Sequence, residues 1–511
     1  MKLIMQRPSV LTSDDMQKIY DAAIRVVRRV PLRCRATDEF YAYLRDFGCE
    51  IAGDQVRFPA PVVDKVVGMI EAQRDRARAA KKKRIAAAKE TVASVDWTGQ
   101  GMDPDDTDLP PTLSYSASGQ GLYCCDVESD EIRLATCKDL ADLSRVVDAV
   151  PGLGRAHPTF IPQDVPRQTA ELHAFATIIL NSSQPHRVSV YTEKFIERFF
   201  EMEVIARGGD EEAVKRNPTF ACKLWFNSPF MVTEENVRIA MKARELLGQP
   251  IQISIMPVAG SATPVTIAGC MAHQTAESLV CNIITLAVDG QLTGYRSGAL
   301  ATDMRTGTHT QSGPDVDLLQ LASAQMAEFV FGGRARVSRG PTTCAKVPGA
   351  QAMMEKSIAT LFAIMGGARS FGSLATLAVA DVGSIVQLML DVEMMQYFQR
   401  LLDGVQVDEE RLAEEVICEV SPTGARFMEH EHTFKYFREE LFSPELADRR
   451  VAGAWIDDPT SMTDRARAKA KRLIESAPNR CPLSEADQRA IHRILAEADR
   501  EATALWRTPT V

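Results

Sequence analysis

Residues Ile251–Val288 read IQISIMPVAGSATPVTIAGCMAHQTAESLVCNIITLAV. The stretch opens on Ile251–Met256, where apolar and polar residues alternate as a strand with one buried face requires. Gly260-Ser261-Ala262-Thr263 then interrupts the run. Thr263-Pro264 has the composition of a helix start, with a hydroxyl to cap the first amides and a proline at the first helical position. No breaker follows before Val288, so a long helix is predicted there. A strand followed by a long helix is the repeating unit of a parallel α/β protein.

The same unit recurs along the chain. Strand-like runs lie at Leu113–Ser118, Ala156–Ile161, Arg187–Tyr191, Thr219–Phe226, Ile251–Met256, Leu292–Gly298, Ala335–Ser338 and Ser370–Leu374, alternating with helical stretches. Eight such runs are what a closed (β/α)8 TIM barrel needs. A further helix is predicted from near Asp381 to Gly404, with Ile385, Leu388, Met389, Val392, Met395, Phe398 and Leu402 at steps of three and four. Its methionines read as core filler, not cofactor ligands.

Three regions follow from this pattern. Residues 1–95 form an N-terminal helical region that starts at Thr12-Ser13-Asp14-Asp15, with a short strand pair near Cys49–Phe58. Within it, Ala72–Glu90 is rich in Ala, Arg and Lys and reads as a solvated helix. The Gly, Asp and Pro residues of Asp96–Pro111 mark a break. Residues 96–405 form the α/β barrel core, and 406–511 form a helical tail packed on it, with turns at Ser421-Pro422-Thr423-Gly424 and Ser443-Pro444.

Composition narrows the function. Among 511 residues, 45% are hydrophobic and 25% charged, the balance of a globular protein. The net charge of −9, with no basic stripe interleaved by aromatics, argues against nucleic acid as a partner. There is no long apolar run near Met1 and no stretch of about 18 apolar residues elsewhere, so the expectation is a cytoplasmic protein without a membrane partner. The eleven scattered cysteines form no disulfide framework and no Cys-x-x-Cys pair, and His-Glu-x-x-His is absent, so no metal site is predicted.

Several motifs stand in one order along the chain: Asp164–Pro166, Ala206–Glu211 (ARGGDE), Asn227-Ser228-Pro229, Ser261–Gly269 (SATPVTIAG), Ala345–Lys356 (AKVPGAQAMMEK), Gly404–Leu412 (GVQVDEERL) and His430–Arg438 (HEHTFKYFR). Together they resemble the trimethylamine methyltransferase family over nearly the whole chain, in particular its pyrrolysine-free branch, which is similar to glycine betaine methyltransferases. The resemblance implies a TIM-barrel enzyme. It would move a methyl group from a quaternary amine, glycine betaine-like, to the Co(I) of a cognate corrinoid protein. The cobalamin would then be carried by that separate partner and not held tightly by this chain, which lacks the Asp-x-His-x-x-Gly signature of corrinoid carriers. A homo-oligomer is also expected.

Two departures bear on the substrate. The family's pyrrolysine position falls on Thr342, and an Asp shortly after it falls on Cys344. Attack of Co(I) on a methyl group needs a stable departing amine. A quaternary ammonium releases a neutral tertiary amine, whereas trimethylamine needs a proton or an adduct such as pyrrolysine forms. Thr342 has no electrophilic imine, so an already cationic donor is preferred; a sulfonium satisfies the same argument.

Binding such a donor calls for aromatic faces, worth about 0.5–2 kcal/mol each. Tyr115, Trp225, Phe226, Tyr295 and Phe371 lie near strand ends, and each has core packing as its alternative. Thr342, with its neighbours Thr343 and Cys344, lies at the pyrrolysine position. Asp315 matches a family Glu and either balances the donor's charge or sits in a helix N-terminal turn. Arg296 either clamps a carboxylate or makes an ion pair. Gly260, Ser261 and Thr263 are read as an anion-binding loop at a helix N-terminus. Lys346 either orients the substrate or forms a salt bridge, the second being favoured; as a Schiff-base lysine it would make the chain a barrel lyase or aldolase. A relative that binds betaine without catalysis is the remaining reading.

Overall fold

Local chemistry sets the first helix. Thr12 caps Ser13–Arg29, its hydroxyl accepting from the Asp15 amide at 3.2 Å while the Asp15 carboxylate accepts from the Thr12 amide at 3.0 Å. The structure is a computed structural model and describes residues 8–89, 112–184, 186–333, 337 and 340–506. The expected strand pair is present as Glu50–Ala52 antiparallel to Gln55–Arg57. The basic stretch after Ala72 continues the helix Ala60–Lys89.

Six of the predicted runs carry strands: β1 (Ser114–Ala117), β2 (Leu153–Ala156), β3 (Val188–Val190), β4 (Phe220–Phe226), β5 (Gln252–Ile255) and β6 (Ser370–Leu374). All their pairings are parallel. β6 pairs with β1 and β1 with β2, while β3 pairs with β4 and β4 with β5. A single parallel bridge from Ala156 to His186 joins the two groups. The second predicted run is shifted, because the chain leaves the sheet after Ala156 and only Phe160 makes a further bridge, to Gly121.

The architecture is therefore mixed α/β. Among the described residues the strands fall into five sheets of three or four strands, and no closed ring is formed. The sixth predicted run, Leu292–Gly298, is not a strand, for a physical reason. Its backbone is taken by side chains of the helix Ile267–Asp289: Asn282 Oδ1 accepts from the amides of Thr293 (3.0 Å) and Gly294 (3.2 Å), and Ser278 Oγ accepts from the Arg296 amide (2.8 Å). Ala335–Ser338 lies, apart from Val337, outside the described residues.

The faces of the strands differ. Cys222, Leu224 and Phe226 of β4, Val188 and Val190 of β3, and Ile253 and Ile255 of β5 join the apolar clusters under the helices. Alternation then puts Lys223 and Trp225 on the opposite face of β4, with Ser189 of β3 and Ser254 of β5.

Further along, the predicted helix near Asp381 runs Ile385–Asp403, with Ser384 as cap and Gly404 ending it. Met389, Met394 and Met395 are buried in it as filler. In the tail, Met462–Ser476 packs on Ile385–Asp403 and Cys137–Ala149, and Glu485–Trp506 on Ala170–Asn181 and Ile196–Ala206. The stretch between is far less buried: Met428 is 80% exposed and Phe434 70%. Cys34, Cys49, Cys124, Cys125, Cys222, Cys270 and Cys281 are buried free thiols. No helix among the described residues is long and apolar enough to cross a membrane.

Candidate functional site

Because the six strands are parallel, the loops after them emerge at one end. Tyr191 follows β3, and its ring stacks against Trp225 near the end of β4, with centroids 6.2 Å apart and planes at 24°. Trp225 Nε1 is buried without a hydrogen-bond partner, and the Lys223 ammonium lies 5.5 Å from the centre of the indole. The Tyr191 hydroxyl donates to Gln120 Oε1 at 2.9 Å, in the loop after β1. Glu171 accepts from the Tyr191 amide at 2.9 Å; burial and the nearby Glu235 push its carboxyl up to about 7 against that bond.

The chain of contacts continues around the rim. A Cβ on Gly121 would sit 2.2 Å from the Asp381 carbonyl, so only glycine allows these two loops to touch. Asp381 also accepts the amides of Leu122 and Tyr123 at 3.4 and 3.2 Å. Just before it, the Val379 amide donates to the Thr343 carbonyl at 2.8 Å and Ala378 to that of Ala345 at 2.7 Å. Thr342 Oγ1 then donates to the Gln311 carbonyl at 2.6 Å, and Cys344 Sγ lies 3.0 Å from Thr310 Oγ1. Thr342 is thus joined to Trp225 by one run of contacting loops.

This rim is held under strain. Ser373, Ala375, Ala378, Val379 and Ala380 all adopt φ between 48° and 69°. Each such non-glycine residue costs about 1–3 kcal/mol, so the surroundings must enforce it. The helix Ala350–Met365 supplies the enforcing groups. Glu355 Oε2 accepts from Thr343 Oγ1 (2.6 Å) and the Cys344 amide (2.7 Å); these bonds and one from Gln351 hold its carboxyl below the ordinary range despite burial. The next residue, Lys356, is fully buried and pairs with Asp391 at 2.6 Å, and Asp391 in turn accepts the Ala375 amide at 2.8 Å. Burial disfavours both charges, lowering the Lys356 pKa and raising that of Asp391, with their mutual attraction opposing.

Other candidates sit elsewhere or differently. Tyr115 and Phe371 are adjacent and buried in an apolar cluster under the helices, and the Tyr115 hydroxyl packs against Gly152, before β2 begins, at the opposite end of the strands. Phe226 faces the core, edge-on to Phe230 at 6.4 Å. The Tyr295 hydroxyl binds Thr275 (2.9 Å) and Gln274 (3.3 Å) on the helix Ile267–Asp289, which leaves it a packing residue. The helix after Gly260-Ser261-Ala262-Thr263 starts at Ile267 with Thr266 as cap, and those four amides turn back onto the Val258 and Thr263 carbonyls. That loop has no free amides for an anion. Asp315 is exposed in the first turn of Pro314–Phe331. Lys346 makes no salt bridge among the described residues; its ammonium donates to the Cys344 carbonyl at 2.7 Å. Arg296 makes no ion pair there either.

Sequence reasoning overlooked Lys223, Glu277, Glu355, Lys356 and Asp391, although charged residues inside apolar runs such as FACKLWF are a usable signal. Glu277 is fully buried and holds the Asn227-Ser228-Pro229 loop, accepting from Ser228 Oγ at 2.7 Å and the Phe230 amide at 3.0 Å. Burial pushes its carboxyl from 4.5 up to about 7, against those two bonds. A raised folded-state pKa means stability that is complete below the unfolded value and lost as pH rises through the folded one. Glu277→Gln should therefore remove a decline in stability between about pH 4.5 and 7 that the parent shows. Urea midpoints across that window check it; equal pH slopes for the two proteins would contradict the assignment.

The strands, their helices and this rim define an α/β protein whose rim lies at the carboxyl ends of parallel strands, the position such folds use for ligands. The chain belongs to the trimethylamine methyltransferase family, whose model, described as Trimethylamine methyltransferase (MTTB), matches residues 119–502. It is 25% identical to the trimethylamine methyltransferase MttB of Methanosarcina thermophila, over 88% of each chain. To MttB of Desulfitobacterium hafniense it is 24% identical over 75% of this chain and 76% of that one. A glycine betaine methyltransferase from Desulfitobacterium hafniense is 22% identical, over 92% of this chain and 93% of its own.

Proposed function

We propose that this chain moves a methyl group from a quaternary amine to the Co(I) of a separate corrinoid protein. The observation that carries this reading is Thr342. Its side chain is only 6% exposed and its hydroxyl is already donated to the Gln311 carbonyl. The residue at the family's pyrrolysine position therefore offers no electrophile to a neutral amine, and a donor that is cationic from the outset needs none. When docked, the corrinoid supplies the nucleophile. The C–N bond to the methyl group breaks with its electron pair staying on nitrogen, and no proton is required.

The chain's own task is binding and aim, which contribute through orientation. Tyr191 and Trp225 provide aromatic surface at the rim. Tyr191, Met256, Met304 and Val347 expose apolar surface at the same end, which suits docking by a protein-borne cofactor. A closed (β/α)8 barrel is also part of this reading. Just past the sixth segment, Leu300–Ala301 pairs parallel with Val258–Ala259, the residues that follow β5, which supports a sixth segment beside that strand. A Cβ on Gly340 would lie 2.4 Å from the Gly372 carbonyl, which brings the end of the seventh beside β6. A lyase through Lys346 is disfavoured because that lysine is exposed and its ammonium donates to the Cys344 carbonyl.

The deciding experiment incubates the protein with free Co(I)-cobalamin and, separately, glycine betaine, choline, tetramethylammonium and a dimethylsulfonium compound, following the visible spectrum. At least one quaternary amine should methylate the cobalt. Methylation by the sulfonium alone would move the donor class, and no reaction with any of them would leave the chain a binding protein.

A further inference from the structure

The helix Ala350–Met365 has an outer face that carries no charge. Ala352, Lys356, Ala359 and Ala363 are buried on its inner side. Met354, Ile358, Leu361 and Phe362, at steps of three and four, are exposed on the outer one. Its two charged residues are both bonded to neighbouring elements, Glu355 to Thr343 and Lys356 to Asp391. A helix that faces water normally carries charge there, as Glu234–Leu247 does with Glu234, Arg238 and Glu245. The outer face of Ala350–Met365 has instead the composition of a buried surface.

A second surface lacks a partner in the same way. The chain leaves Ile385–Asp403 at Gly404 and returns at Glu440, and Arg400 donates to both of those carbonyls, at 2.9 and 2.7 Å. The arm between them holds the helices Glu409–Leu412, Glu414–Val420 and Glu431–Glu440, the first tied to the third by Arg411 with Glu439 and Glu440 at 3.2 and 3.0 Å. Of residues 404–440 only Val420 and Tyr436 are buried. Helices this short need packing, since in water a helix below about 12–15 residues is marginal even with the best composition. Yet Val407, Leu412, Phe427, Met428 and Phe434 face solvent. The Leu113 amide, just before β1, donates to Gln399 Oε1 at 2.7 Å, which sets the arm at the amino ends of the strands, away from the rim. Ala350–Met365 ends at the same level, since shortly past it the Arg369 carbonyl accepts from the Ser114 amide at 2.9 Å.

We infer that the arm of one copy covers the outer face of Ala350–Met365 on a second copy of this chain. Arm and helix end stand opposite the rim, where a partner that must reach the donor has no reason to dock. Both surfaces are present on every copy, so a two-fold axis buries both on each molecule at once. Charge decides which surface meets which. Residues 404–440 hold ten acidic and four basic side chains, a net charge of −6, so two arms repel one another while the helix face is neutral. Beside that face, Pro314–Phe331 packs on Ala60–Lys89, whose exposed Arg76, Lys82 and Lys83 complement an acidic arm. The apolar residues of arm and face together present on the order of 1,000 Å², against about 800 Å² per partner in a standard interface.

Sedimentation equilibrium of the full chain tests this. At micromolar concentration the parent should run at twice its 56.3 kDa or a multiple of that. Ile358→Glu and Phe434→Glu each place a charge at an exposed site, which spares the fold, and each should weaken association at least about tenfold by burying that charge in the interface. Mixing the two variants distinguishes arm on helix from the other pairings. The unaltered arm of Ile358→Glu then meets the unaltered helix of Phe434→Glu, so the mixture should associate at least about tenfold more tightly than either variant alone. Lys82→Glu with Lys83→Glu should weaken the parent's association by about threefold or more and serves where Ile358→Glu does not fold. A parent that stays monomeric at high micromolar concentration, a variant of Ile358 or Phe434 that associates as tightly as the parent, a mixture no tighter than its components, or a lysine pair variant without effect would each overturn the inference. The readout is mass, so it stands apart from methyl transfer.

Discussion

Lys356→Met should lower the stability of the protein by about 3–5 kcal/mol, the cost of leaving one partner of a buried ion pair uncompensated. Both Lys356 and Asp391 are completely buried, 2.6 Å apart. Without the ammonium, the Asp391 carboxylate keeps only the Gln387 amide group and the Ala375 amide, both at 2.8 Å, and burial drives it to take up a proton. The pair also acts at a distance. Asp391 pins Ala375 at φ 69°, within the strained loop whose later residues bind the backbone of Thr343 and Ala345. Replacing both partners by apolar residues, as in Lys356→Met with Asp391→Leu, should recover much of the lost stability, since a packed apolar pair is often as stable as the ions it replaces. It should not restore methyl transfer, because the Ala375 amide still lacks its acceptor. Urea midpoints at constant m value measure the first effect and cobalamin spectra the second. A single substitution that costs under about 1 kcal/mol would mean that the pair is solvated and does not position the rim.

The fold was legible in the sequence wherever a local rule decides. Thr12 and Asp15 announce a capping box, and Gly404 a helix end, because caps depend on a few consecutive residues. Strands β3 to β6 follow from short apolar runs set between turns. The reading failed where backbone groups find distant side chains. Leu292–Gly298 has the composition of a strand, yet Asn282 and Ser278, on the preceding helix, take its amides. Gly260–Thr263 fails for a nearer reason: its amides fold back on the Val258 and Thr263 carbonyls, and Thr266 starts the helix. In the site, adjacent aromatics such as Trp225 and Phe226 look alike in sequence, and only the sheet's parity separates rim from core. Glu355 and Lys356 stood inside the family motif, but their partners Thr343 and Asp391 are set by packing of a helix against two loops.

Quaternary amines should methylate Co(I) at least about tenfold faster than trimethylamine, a difference of roughly 1.4 kcal/mol or more in barrier. The reason lies in the leaving group. A quaternary donor departs as a neutral tertiary amine whatever surrounds it, so the enzyme need only aim the methyl group. Trimethylamine leaves well only while it holds a proton or is captured as a cationic adduct. Thr342 cannot form the adduct, since its hydroxyl is buried and committed to Gln311. Protonated trimethylamine would have to keep its N–H until the C–N bond breaks, a requirement that a quaternary donor does not have. Initial rates of spectral change at matched donor concentrations give the ratio directly. Comparable rates for trimethylamine and every quaternary donor would refute the assignment, and robust turnover of trimethylamine alone would mean that groups other than Thr342 supply what pyrrolysine does in the family.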